Sequence, residues 1–199
     1  MSGDPRTEHL SYRHKLAFEI FEGLLWPAAA GNVLWSLIAL TTLEPKPLTY
    51  PMVTRASVLL LLGAYLCLEW IRNYRSLPKP ITWRFWVFDL LHLLAVAWTA
   101  IVTSDGSDLL VVALVAYFII TGTGHLSGAY KYAQGTRTET VGLALINYLG
   151  VAIIYAGYLT GHDYRASMQW TLPLSLLIVI VLWLGWRWRQ LCELLGFAV

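Results

Sequence analysis

Asp89 and His92 stand three positions apart in "RFWVFDLLHLLAVAW", residues 84 to 98, a run otherwise built from apolar and aromatic side chains. At this spacing a carboxylate and an imidazole share one helical face, so the acid can orient or protonate the base. Histidine titrates near neutral pH without special tuning, and acidic or imidazole groups at membrane depth are the usual means of relaying protons or drawing cations through a bilayer. Glu19, Glu22, Glu69, His125 and the polar companion Asn147 also interrupt apolar runs. Glu19 and Glu22 share a face, and Thr121, His125 and Gly128 share another.

The same residues admit other chemistry. His92 and His125, on adjacent antiparallel helices, have the spacing to hold a haem between them. Asp89, His92, His125 and Glu22 or Glu69 have the ligand types for zinc or iron, but "DLLH" is the one stretch that offers two ligands from one helix, and no HxxxH or ExxH pair accompanies it. "HLSGAY" resembles the serine loop of rhomboid-type intramembrane proteases at Ser127 and Gly128. His125 stands where that motif has glycine, and the last apolar run has no histidine to act as base, so this reading is rejected. A third class, an accessory or scaffold subunit, needs no cavity at all. No resident cofactor or metal is expected on the leading reading, which is a channel or transporter for a proton, cation or small polar solute.

These residues need a scaffold, and composition says which. Of 199 residues, 57% are hydrophobic and 13% charged, far from the balance of a water-soluble domain. The apolar residues come in long unbroken runs, which favours helices over the alternating strands of a barrel. Six runs are long enough to cross about 30 Å of hydrocarbon: Leu16 to Leu43, Pro51 to Ile71, Thr82 to Thr103, Asp108 to Tyr130, Thr140 to Leu159, and Met168 to Leu191. The expected fold is therefore an all-α, polytopic integral membrane bundle of six transmembrane helices. It forms a single domain over 1–199, with a short cytoplasmic segment at 1–15. The first fifteen residues are polar, and the first span is expected to serve as its own insertion signal. Cys67 and Cys192 are far apart and read as small apolar fillers.

Basic loops tend to remain in the cytoplasm. Arg6, Arg13, Lys15, Arg72, Arg75, Lys79, Arg84, Lys131, Arg137, Arg187 and Arg189 fall on one side of this topology, against Lys46, Arg55 and Arg165 on the other. Both termini are expected inside, in a bacterial inner membrane or a plasma membrane. Trp70, Trp83, Trp86, Trp186 and Trp188 mark the inner boundary, and Trp35, Trp98 and Trp170 lie toward the outer one. The net charge of +2 and the scatter of basic residues exclude a nucleic-acid partner. The expected partners are the lipid bilayer, a small solute or ion, and further copies of the chain in a homo-oligomer.

At about 1.5 Å per residue, Glu22, Asp89, His92 and His125 lie about 8 to 12 Å in from the nearest inner basic residue, Glu69 about 5 Å and Asn147 about 15 Å. All fall in the inner half, as a polar layer. A charge at mid-helix costs about 2.5 to 3.5 kcal/mol, so each should face protein, water or a partner. A purely structural reading has Glu19 and Glu69 snorkelling or pairing with Lys15 and Arg72, and Asp89 anchored by Arg84 or Arg75. Spans one, three and five each follow an inner basic flank with polar residues ("KLAFEIFE", "RFWVFDLLH", "RTETVGLALIN"), a weak echo of the internal repeats found in transporters.

Overall fold

The structure, a computed structural model, describes residues 19–42, 50–75, 83–127, 137–161 and 163–195, and every regular element among them is a helix. A π-helical turn, Phe21–Leu25, leads into α1, Trp26–Thr42. There follow α2, Met52–Arg75; α3, Trp83–Asp105; α4, Leu110–Leu126; α5, Arg137–Thr160; and α6, Tyr164–Leu195. Each expected apolar run carries one helix; the start of the first run, 16–18, lies outside the described residues, and the other ends are displaced by a few residues.

Five of the helices contain stretches long and apolar enough to cross a membrane: Gly23–Leu40, Met52–Trp70, Trp83–Asp105, Thr140–Thr160 and Arg165–Trp188. The chain is thus a polytopic, all-α integral membrane protein. α4 is apolar but has 17 described residues, about 26 Å of helix. Large apolar side chains such as Leu60, Leu94, Leu145 and Val181 stand exposed along the helices, as expected of surfaces bathed in lipid rather than water. Trp35, Trp83, Trp170 and Trp188 are exposed as well.

The ends of the helices follow from local chemistry. Pro27 has no N–H to give to the preceding turn and its ring crowds the carbonyl four residues back; the widened π turn immediately before it accommodates both. α3 stops at Gly106, whose positive φ of 66° takes the left-handed conformation favoured by glycine. The Ser107 N–H bonds the Val102 carbonyl (3.1 Å) and the Gly106 N–H bonds that of Thr103 (3.3 Å), the paired closure of a Schellman motif. Asp163 caps α6, its Oδ1 accepting from the Arg165 N–H at 2.9 Å.

The helices close into a ring. Each packs on two neighbours in the order α1, α2, α6, α5, α4, α3 and back to α1, while α2 also meets α3, and α4 meets α6. α5 comes close to α4 at Gly150, where an added Cβ would lie 2.8 Å from the Phe118 ring. Buried side chains of all six helices pack the interior of the ring. Toward the α3–α4 turn it is mostly aliphatic: Val58, Leu59 and Leu62 of α2, Val96 of α3, Leu110 and Leu114 of α4, and Leu172 and Leu176 of α6 are completely buried, beside the polar Arg55, Thr99 and Thr103. Toward the opposite end, where α3 begins with Trp83 and Arg84, the filling turns aromatic and polar.

Candidate functional site

α1 and α3 meet at the pair that the sequence singled out. Asp89 and His92 are both buried residues of α3. The indole N–H of Trp26 donates to Asp89 Oδ2 at 3.0 Å, and the same indole stacks on His92 with ring centroids 5.5 Å apart. A buried tryptophan needs an acceptor for its N–H, and the acid supplies it. Arg84, expected as an anchor for Asp89, instead donates to the Ser127 carbonyl at the end of α4 (3.3 Å) and lies over the Trp83 ring.

α4 closes over the other side of the imidazole. Tyr117 lies 5.2 Å from the His92 ring, centroid to centroid, and Thr121 Oγ1 is 3.1 Å from His92 Nδ1. The Thr121 hydroxyl also donates to the Tyr117 carbonyl one turn back, at 2.9 Å. Thr121 and His125 lie one turn apart on the face noted from the sequence, and both are buried.

From Tyr117 the contacts continue across the ring. Tyr117 meets Tyr65 of α2 edge to face at 6.1 Å, and Tyr65 meets Trp183 of α6 at 6.2 Å. The Trp183 N–H donates to Glu69 Oε1 at 2.8 Å, back on α2. A connected file thus runs Asp89, Trp26, His92, Tyr117, Tyr65, Trp183, Glu69, with a tryptophan–carboxylate pair at each end. Its members, with Thr121, are all between 0 and 3% exposed. The likeness of the two ends pairs α1 with α3 and α6 with α2, which is not the hairpin repeat suggested by the sequence.

Of the residues singled out in the sequence, Asp89, His92 and Glu69 belong to this file. Glu69, shallow enough to snorkel, is buried instead. His125 and Asn147 are fully buried on α4 and α5. Asn147 donates to the Leu143 carbonyl (2.9 Å), and its Oδ1 has no hydrogen-bond partner among the described residues. Glu19 is exposed, and the side chain of Glu22 lies outside the described residues. Among the described residues no three of His, Cys, Asp and Glu come together as a metal site. A haem between His92 and His125 would have to displace Trp26 or Tyr117, which occupy the flanks of the His92 ring.

Sequence reasoning missed Trp26, Trp183, Tyr65 and Tyr117, although their mid-span positions were a signal. It also counted Arg55 and Arg187 as flanking charges, whereas both are buried. Arg55 reaches from α2 to the end of α3, where its Nε donates to the Thr103 carbonyl (2.6 Å) and its Nη2 to that of Ser104. A cation on the carbonyl end of a helix satisfies orphan acceptors and complements the helix dipole. Beside the file, between α1 and α2, lies an apolar pocket of about 260 Å³ lined by Trp26, Pro27, Ala30, Leu66, Cys67 and Trp70. Comparison of the chain with protein-family models, with curated proteins and with solved structures finds no match.

Proposed function

We propose that the chain moves a proton, cation or small polar solute across the membrane, and that the polar file is the level at which the cargo is held. The observation that carries this reading is the unbroken run of contacts from Asp89 to Glu69, which draws two acids and an imidazole from different parts of the sequence into one buried level of a membrane bundle. Ionisable groups are costly there, and relaying charge is their usual use. Asp89, His92 and His125 are central; Glu69 and Asn147 line the level, and Glu19 lies at its approach. The aliphatic layer toward the α3–α4 turn is the closed gate.

In the same reading α4 is the sixth span, both ends of the chain lie in the cytoplasm, and the basic end of the ring faces inward by the rule for positive charges. The protein sits in a bacterial inner membrane or a plasma membrane and assembles as a homo-oligomer. Purified protein in liposomes tests the core of the proposal. Asp89→Asn keeps the shape and an acceptor for Trp26 while removing the charge, and flux of the cargo should fall about 100-fold, the weight of one proton-handling group. Flux equal to that of the unaltered protein would end the proposal.

A further inference from the structure

We propose that Asn147 is a binding residue for the cargo and that it selects small solutes carrying an N–H or O–H donor, which deepens the transport reading above and rests on it. Asn147 stands within α5 and is completely buried. Its Nδ2 donates to the Leu143 carbonyl one turn back, at 2.9 Å. A carbonyl accepts and cannot donate, so this contact fixes which end of the side-chain amide is nitrogen. The other end, Oδ1, has no hydrogen-bond partner among the described residues. A buried acceptor left in that state bears its whole desolvation cost, and it calls for a ligand that brings a donor.

The place of this oxygen ties it to the file. α5 packs on α4, and a Cβ added to Gly150 would meet the Phe118 ring at 2.8 Å while one added to Gly122 would meet the Tyr148 ring at 3.2 Å. These contacts set the register of the two antiparallel helices. Asn147 precedes Gly150 by about 4.5 Å along α5, the same step that leads from Phe118 to Thr121 on α4. It is therefore level with Thr121, whose Oγ1 lies 3.1 Å from His92 Nδ1. His125, also completely buried, continues the face of α4 on which Phe118 and Gly122 meet α5.

The chemistry of a carbonyl oxygen names the class of ligand. It takes an N–H or O–H and turns away anions, which bring only acceptors of their own. Asp89 Oδ2 and Glu69 Oε1, which accept from Trp26 and Trp183, give the level the same character. A bare alkali cation takes a ring of oxygens in place of its hydration shell, whereas a single donor is satisfied by the oxygen that Asn147 offers. Ammonium, urea and glycerol represent the class as charged N–H, neutral N–H and neutral O–H.

Infrared spectra of protein with asparagine ¹³C-labelled at the side-chain carbonyl, in lipid vesicles, read Oδ1 directly, the Asn147 band being identified by its loss in Asn147→Leu. Without solute the band is expected at the high frequency of a carbonyl that accepts no hydrogen bond. Ammonium, urea or glycerol should lower it, and potassium at the same concentration should not. Which of the three acts separates charged from neutral donors and nitrogen from oxygen. A band already at the hydrogen-bonded frequency in buffer means that Oδ1 holds a structural water and overturns the inference. A band that none of the three moves, or that potassium moves equally, overturns it too.

Stability separates a binding residue from a structural one. Leucine has nearly the shape of asparagine and leaves no acceptor behind, so Asn147→Leu should melt at a higher temperature than the unaltered protein. A lower melting temperature assigns Asn147 to the fold and overturns the inference. In the same vesicles, the half-saturating concentration for flux of the solute that moves the band should rise about tenfold in Asn147→Leu, the weight of one hydrogen bond. An unchanged value overturns the role in binding cargo. A band that moves without any flux leaves the binding site standing and removes the transport reading, and flux of a solute that leaves the band unmoved does the reverse.

Discussion

Trp26 and Trp183 each give an indole N–H to a buried acid, Asp89 in one case and Glu69 in the other. A hydrogen bond to a charged group is worth about 1.5 to 3 kcal/mol, and removing the donor leaves the acceptor to bear its burial. Trp183→Phe should therefore lower stability by about 2 kcal/mol, whereas Trp170→Phe, at an exposed position, should change it by less than about 0.5 kcal/mol. Chemical unfolding in detergent micelles checks both. The first half of this difference could have been anticipated from the chain. Of ten tryptophans, eight fit a boundary between lipid headgroups and hydrocarbon, and the two left over are the two that are buried. Asp89 and His92 were legible from their spacing on one face, and Thr121 from sharing a face with His125. Glu69 was legible as an ionisable residue within a span but its burial was not, because counting residues from Arg72 gives depth and says nothing about which way a side chain turns. The contact between His92 and Thr121 was equally hidden, since it depends on the register of α3 against α4, which no local pattern records.

Helices were the easiest features to read, because runs of apolar residues fix both their existence and their approximate length. Their ends were less so. α6 extends from an Asp163 cap through Leu195, several residues beyond the apolar run on each side. The stop of α3 was written in "SDGSD", but its reinforcement by Arg55 was concealed, for an arginine near a helix start reads as a flanking charge. That turn is a test of how much a buried arginine contributes. Gly106→Ala should destabilise the protein by about 1 to 2 kcal/mol, the cost of a left-handed backbone with a Cβ. Arg55→Met should cost about 1.5 to 3 kcal/mol by stripping charged donors from the Thr103 and Ser104 carbonyls. Because both variants act on the Thr103 carbonyl, their double mutant should fall short of the sum, and unfolding curves of the four proteins measure the shortfall.

At the scale of the whole molecule, α1 sits between α2 and α3 in the ring. Among the five long spans it is the least enclosed: 28% of its apolar stretch is buried, against 39 to 44% for the others. Local opening is drawn from such weakly packed elements. Deuterium uptake followed by mass spectrometry in lipid nanodiscs should accordingly be fastest in α1 among these five, and slower uptake there than in α3 would contradict the packing. The ring itself could not be read from the sequence, because six apolar stretches fit many circular orders equally well. A palisade with one slack post gives way at that post. An outward displacement of α1 would carry Trp26 with it, so the indole donor on Asp89 and the ring stacked on His92 would be withdrawn in a single movement.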